Sequence, residues 1–400
     1  MHARGMLLIA APGQGAQAPG FLSAWLELPG FADRLAAWSD LAGCDLIRCG
    51  TTAGADEITD TAIAQPLLVA AAIAAADELL GGIGHASRLA GAAAGHSVGE
   101  LGAGAIAGVI SPPDAMRLVR VRGQAMGRAA AAEATGMTAV LGGEESAVLA
   151  AIEKQGLTAA NINAAGQIVA AGTSDELAAF AADPPAGARI RPLPVAGAFH
   201  TRHMAPAADA LRAASSAITV SDPQLTLLSN ADGSVVRTGT DWMERIINQV
   251  GAPVRWDLCM KSMTGLGVSA LIELPPAGTL TGLARRALPG VQLTALKTPD
   301  DLRAARALIA EHGQADADSH APEWRLLVAP LAGTFRARST GGRPGAAVSS
   351  GAELGHVEMR GSSHLVTPPF PATIIEWLVE DGDPVSAGQP LVRLQPEGSE

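Results

Sequence analysis

A serine framed as Gly95-His96-Ser97-Val98-Gly99 constrains this chain more than any other feature. The G-x-S-x-G pattern places a serine on a sharp turn between a strand and a helix, and it needs an α/β sheet to hold that turn. The flanking text agrees. LAGAAAG (89–95) reads as a strand leading into Ser97, and VGELGAGAIAGVI (98–110) as a helix leaving it. The pattern names a nucleophile. It does not say what is attacked, what activates the hydroxyl, or whether an acyl group passes to water or to another acceptor.

The alternation that such a turn requires runs from Met6 to about His312. MLLIAAP (6–12) is strand-like and QPLLVAAAIAAADELL (65–80) helix-like. PDAMRLVRVRGQAMGRAAAA (113–132) carries Met116, Val119 and Met126 near helical spacing. Between residues 137 and 196 the text changes. Strand-like MTAVLGG, QIVAAG and ARIRPLPVA are separated by helical ESAVLAAIEKQG and SDELAAFAAD, which predicts a small ferredoxin-like insertion. The α/β pattern resumes with VSALIEL (268–274) and TALKTPDDLRAARALIAEH (294–312). GQADADSHAPE (313–323) is polar and aperiodic, a linker. Beyond it lies an internal repeat: VAPLAGTF (328–335) matches VTPPFPATI (366–374), and VSSGAELGHV (348–357) matches VSAGQPLVRL (385–394). Two similar halves of this size predict a small all-β module with pseudo-two-fold symmetry. The expected organisation is therefore an α/β domain over 1–312 with an insertion at 137–196, a linker at 313–323, and a β domain over 324–400.

Four hundred residues with 48% apolar content suit two or three globular domains. The net charge of -11 and the lack of a basic run argue against a general nucleic-acid binder. Cys44, Cys49 and Cys259 are scattered without metal or C-x-x-C spacing, and read as reduced thiols in a cytoplasmic protein. The opening MHARGMLLIAAPGQG reads as a first strand rather than a signal peptide. No apolar stretch is both long enough and free enough of turn signals to span a membrane. The only lysines are Lys154, Lys261 and Lys297.

A serine hydroxyl needs a base to take its proton and donors to receive the oxyanion it creates. His200, in VAGAFHTRHM, follows a strand-like run and is the candidate base; His96 is too close to the elbow to face the serine, and His203 is a rival. The backbone N–H groups of Val98 and of Gln14, in the turn PGQGAQ (12–17), are candidate oxyanion donors. Arg122, in RLVRVRGQAM, offers a planar fork suited to a carboxylate. A simple esterase has no use for it, whereas an acyl group with a second, free carboxylate does.

PGQGAQ, QPLL, GHSVGE, RVRG, NAAGQIVAAG, GAFH, PVRW and GTLTGL stand in the order and spacing of malonyl-CoA:acyl-carrier-protein transacylases, and residues 6 to 312 resemble that family, near its actinobacterial members. The resemblance implies an α/β-hydrolase-like core with a ferredoxin-like insertion. It implies that Ser97 becomes malonylated, that His200 is the base of a Ser–His dyad, and that Arg122 grips the malonyl carboxylate. Gln14 and Val98 match the oxyanion-hole residues and Gln65 a glutamine lining the pocket. Phe199 matches the bulky residue associated with malonyl rather than methylmalonyl units. PVRW (253–256) matches the segment whose backbone carbonyl, at or near Arg255, orients the histidine. The implied reaction is a ping-pong transfer from malonyl-CoA to the phosphopantetheine thiol of an acyl carrier protein, in fatty-acid or polyketide synthesis, with no metal or cofactor. Docking of an acidic carrier would need a local basic patch such as Arg285 and Arg286. Two alternatives stay open: a thioesterase on the same scaffold, and an idle scaffold that uses its C-terminal part for docking.

That C-terminal part resembles a biotinyl/lipoyl carrier domain, with ATIIEWLVEDGDPVSAGQPLVRL (372–394) as its second half and LGHVEM (354–359) as the strand approaching the attachment hairpin. The position of the attachment lysine falls on Gly361, and no lysine follows Lys297. Biotin and lipoate need that amine, so neither is expected. The resemblance implies a degenerate carrier fold, which leaves a docking piece, a dimerisation piece or a relic that merely stays folded as the alternatives, with synthase or carboxylase components as the partners to test.

Overall fold

The computed structural model describes residues 5–195, 197–313, 325–338, 342–359 and 362–396. The chain divides into two units between residues 314 and 315. Apart from Gly313, the expected linker lies outside the described residues, as does Gly361.

The first unit has eleven strands among its described residues: β1 (Met6–Ala11), β2 (Ala92–Gly95), β3 (Thr135–Gly142), β4 (Thr158–Ala164), β5 (Gln167–Thr173), β6 (Ala188–Pro192), β7 (Thr226–Leu228), β8 (Val235–Val236), β9 (Val254–Arg255), β10 (Val268–Glu273) and β11 (Gln292–Ala295). Six of them form a sheet in the order β11-β10-β1-β2-β7-β8. All its pairs are parallel except β7–β8. Helices pack on such a sheet from both faces, so its strands read as unbroken apolar runs. Leu7 through Ala11 are all buried, as are all four residues of β2.

The helix Thr61–Leu80 corrects the reading of the chain as lacking a segment long and apolar enough to cross a membrane: an 18-residue stretch of it has a mean hydropathy of 1.6. Most of it is buried inside the unit, where it packs on the helix Pro112–Ala132. A helix enclosed on all sides is apolar on all sides, and its composition reflects burial in protein.

The segment from residue 135 to 192 runs strand, helix, strand, strand, helix, strand, and with β9 forms a second sheet in the order β6-β3-β5-β4-β9. The strand β4 is absent from the sequence reading. Its text, TAANINA, has three alanines and two asparagines beside one threonine and one isoleucine, a poor β composition. Its pairing with β5 is also irregular, with register shifts between Ala159 and Asn161 and between Ile162 and Ala164. The last expected strand, ARIRPLPVA, stops at Pro192, where Pro192 and Pro194 deprive the ladder of donors.

The second unit holds β12 (Arg325–Val328), β13 (Gly333–Ala337), β14 (Ala347–Val348), β15 (Gly355–Met359), β16 (Ser362–Val366), β17 (Ala372–Trp377), β18 (Pro384–Val385) and β19 (Pro390–Pro396). They form two antiparallel sheets, β12-β19-β17-β14 and β16-β15-β13-β18. The repeat explains this order. The sequence match aligns β13 with β17, β14 with β18 and β15 with β19, and each copy's short strand pairs with the long strand of the other copy. Phe335, Val357, Ile374, Leu391, Val392 and Leu394 fill the core.

Candidate active site

The elbow is built by close approach. Ser97 has φ 51, a left-handed conformation that a non-glycine residue adopts only when its surroundings impose it. Gly95 and Gly99 make room for it. A Cβ on Gly95 would lie 2.1 Å from the Gly99 carbonyl carbon, and one on Gly99 would lie 2.3 Å from the carbonyl oxygen of Ala11 on β1. The turn thus presses against the neighbouring strand and ejects the serine at the start of the helix Gly99–Ile106. Asn230 locks it from beneath: its Oδ1 accepts from the Ser97 N–H at 2.7 Å, and its Nδ2 donates to the Gly95 carbonyl at 2.7 Å.

His200, also at positive φ (62), brings Nε2 to 2.7 Å from Ser97 Oγ. Its Nδ1 lies 2.8 Å from the carbonyl oxygen of Gln249. A carbonyl only accepts, so Nδ1 carries the proton and Nε2 is left as acceptor for the serine hydroxyl. Burial, with the charge of Arg122 second, pushes the imidazole down to about 3, so it stands as a free base at neutral pH.

The orienting carbonyl is a correction. The sequence reading put it at or near Arg255; the structure puts Gln249 there. Gln249 ends the helix Gly239–Gln249, where the last carbonyls have no partner within the helix and are available to a side chain. Arg255 instead donates its N–H to the Asn230 carbonyl at 2.8 Å and pairs its guanidinium with Asp257. His203 is engaged by Glu133 at 2.7 Å.

Arg122, 1% exposed, points Nη2 at Ser97 Oγ (3.3 Å) and at Gln249 Oε1 (3.4 Å), and Nη1 at Gln65 Oε1 (2.7 Å). Among the described residues no carboxylate reaches it as a salt bridge. Glu100 acts on it only through space, and burial pushes the guanidinium down to about 10. Burial likewise raises Glu100 to about 8, so at neutral pH it largely keeps its proton. Held by two amide oxygens and a hydroxyl, this buried cation lacks a counter-ion among the described residues, and a ligand carboxylate is the group that would supply one.

Gln14, Gln65, Ser97, Val98, Phe199 and His200 line one cavity of about 90 Å3, with His96, Met126, Met137, Asn161, Val169, Leu193 and Val195 completing its wall. Among the described residues the backbone N–H groups of Gln14 and Val98 have no acceptor, which leaves them for an oxyanion. His96 turns its Nε2 to Asn163 Oδ1 at 2.9 Å, tying the elbow to β4. Arg285 and Arg286 are exposed at the end of the helix Thr279–Ala287, and Arg286 donates to Gln167.

Three members of the polar network escaped the sequence reading: Glu100, Asn230 and Gln249. Glu100 accepts from the Asn230 N–H at 2.8 Å and from the Gln249 side-chain amide. Only Glu100 carried a signal, as the last residue of GHSVGE; the others lie more than a hundred residues away.

A family model described as an acyl transferase domain matches residues 11–301. A Mycobacterium tuberculosis protein named malonyl CoA-acyl carrier protein transacylase is 53% identical over 300 residues, covering 74% of this chain and 98% of that protein. The crystal structure of a Mycobacterium tuberculosis protein given as MCAT superposes with a TM-score of 0.72 at 53% identity, covering 75% of this chain and 99% of that one. A further structure, described as a type II polyketide acyl-carrier protein in complex with its malonyl-transacylase, matches with a TM-score of 0.69 at 30% identity, over 76% of this chain and 99% of that one.

Proposed function

Because the chain belongs to the acyl transferase family, we propose that it carries a malonyl group from malonyl-CoA to the phosphopantetheine thiol of an acyl carrier protein, through malonyl-Ser97. The single observation that carries this reading is one hydroxyl with two neighbours. Ser97 Oγ is 2.7 Å from a neutral imidazole and 3.3 Å from a buried guanidinium that has no carboxylate partner among the described residues.

In the first half-reaction the Ser97 hydroxyl attacks the thioester carbonyl carbon while its proton moves to His200 Nε2. The charge left on the carbonyl oxygen is received by the N–H groups of Val98, at the N-terminal end of the Gly99–Ile106 helix, and of Gln14. The C–S bond breaks, CoA leaves, and its sulfur takes the proton from His200. In the second half the carrier thiol gives its proton to His200 and attacks the ester. Ser97 then leaves as the alcohol, recovering that proton. Imidazolium forms transiently in both halves, and the carbonyl of Gln249 at a helix C-terminus favours that charge. Arg122 and Gln65 hold the free carboxylate, and Phe199 limits the space beside it.

The strand orders support the finer fold reading, an α/β-hydrolase-like core with a ferredoxin-like insertion. The matched sheets and the sequence repeat support a biotinyl/lipoyl-like barrel-sandwich in the second unit, without the attachment lysine. Docking to synthase or carboxylase components is the role proposed for it. The free thiols at Cys44, Cys49 and Cys259 fit a cytoplasmic enzyme.

The test is partition of product. Incubation with malonyl-CoA and a phosphopantetheinylated carrier protein should give malonyl-carrier well ahead of free malonate, read by mass spectrometry of the carrier. Predominant malonate would make the chain a thioesterase, and no turnover would leave it a scaffold.

A further inference from the structure

GHSVGE ends on a carboxyl group that takes no part in the transfer chemistry above. Glu100 sits in the first turn of the helix Gly99–Ile106 and is 3% exposed. A buried carboxyl is costly, so its hydrogen bonds indicate what it is kept for. The Asn230 N–H donates to its Oε1 at 2.8 Å, and the Gln249 side-chain Nε2 donates to its Oε2.

Gln249 serves three groups at once. Its main-chain carbonyl holds His200 Nδ1, its Oε1 accepts from Arg122 Nη2 at 3.4 Å, and its Nε2 faces Glu100. A guanidinium only donates, so the amide must turn its oxygen to Arg122 and its NH2 group the other way, where an acceptor has to receive it. Glu100 Oε2 is that acceptor. The other one within reach, Asn230 Oδ1 at 3.4 Å, is already taken by the Ser97 N–H at 2.7 Å. Gln65 Oε1 accepts from the second terminal nitrogen of Arg122 at 2.7 Å, so two amides between them fix the plane of the fork.

Resting on the malonyl-transfer reading above, we propose that Glu100 is a positioning residue for Arg122. It sets the orientation of the Gln249 side chain, and through it the plane in which the guanidinium meets the free carboxylate of the substrate. A carboxyl group does this in either protonation state, because a carboxyl hydroxyl keeps a lone pair for the incoming N–H. A carboxamide does not. With glutamine at position 100, the single oxygen is claimed by the Asn230 N–H and the NH2 group opposes that of Gln249. The Gln249 amide then turns over and presents donors to Arg122, or leaves it.

The experiment measures kcat/KM for acyl transfer from malonyl-CoA and from acetyl-CoA in wild type, Glu100→Gln, Gln249→Met and the double variant. Methionine keeps the main-chain carbonyl that holds His200 and deletes the amide. In Glu100→Gln the expected loss is about tenfold on malonyl-CoA, the size of one lost hydrogen bond, and no more than about twofold on acetyl-CoA, which has no free carboxylate. Gln249→Met should show the same fall in malonyl preference, and adding Glu100→Gln to it should lower that preference no further. An equal loss on both thioesters would make the carboxyl merely structural and overturn the proposal. So would an unchanged preference in Glu100→Gln, or additive falls in the double variant. Should Glu100→Gln not fold, Gln249→Met decides, since an unchanged malonyl preference there removes the amide through which Glu100 acts. Failure of wild type to be acylated by malonyl-CoA would show instead that the underlying malonyl-transfer reading is wrong.

Discussion

The two units spend their polar and apolar residues in opposite ways. The first buries Glu100, Arg122, His200, Asn230, Gln249 and Glu273 while covering its large hydrophobics. The second buries an apolar core and leaves apolar side chains outside. The exposed large hydrophobics among the described residues, Leu326, Val328, Met359, Leu365, Ile375 and Leu378, all belong to it. Buried ionisable groups are expensive and persist where they do chemistry or structural work. Glu273 does the latter, accepting the N–H groups of Gly278, Leu280 and Thr281 at the start of a helix. The rest converge on Ser97. The contrast places the buried polar network in the first unit, which the acyl transferase family model matches.

The sharpest way to break this division is at the base. His200→Ala should lower malonyl transfer on the order of 10^4-fold or more, since serine and histidine act as one unit. A loss under tenfold would move catalysis elsewhere. Next in size is Arg122→Ala, with roughly a 100-fold loss on malonyl-CoA and a far smaller loss on acetyl-CoA. Competition kinetics with the two thioesters would read the change, and an unchanged malonyl preference would remove Arg122 from carboxylate recognition.

The buried titrations give a third, pH-dependent contrast. Unfolded, His200 takes its proton near 6.5; folded, it does so near 3, so it destabilises the fold as pH drops through that window. Glu100 keeps its proton up to about 8 when folded but releases it near 4.5 when unfolded, so its contribution is lost as pH rises from 4.5 to 8. The two slopes oppose one another between 4.5 and 6.5. Above that interval Glu100 acts alone, and Glu100→Gln should flatten the loss of stability between pH 6.5 and 8, read by denaturant midpoints. A persistent slope in the variant would place its origin at another group. The smallest effect is expected from the second unit: a chain ending at residue 314 should keep its transfer rate within about twofold, given the division into separate units. A collapse in rate would give the C-terminal unit a part in catalysis.

Much of this site was legible because its constraints are local. The glycines flanking Ser97 exist to let the turn touch β1, and a pattern of five residues records that. Arg122 and His200 stood out through motif text on their own helix and loop. The Gln249 carbonyl did not, because a backbone oxygen has no sequence identity; where helix Gly239–Gln249 ends decides its place. Asn230 reaches Ser97 across 133 residues, a distance no local pattern spans. The strand β4 was hidden by its alanines and asparagines, and one of those asparagines turned out to face the reaction cavity.

The central claim is that Ser97 holds a malonyl group between donor and acceptor. Intact-mass measurement after incubation with malonyl-CoA alone tests it most directly. The account predicts a single malonyl adduct on the wild-type chain, discharged by a phosphopantetheine thiol, and none on Ser97→Ala. An unmodified wild type, or an undiminished adduct on Ser97→Ala, would contradict it.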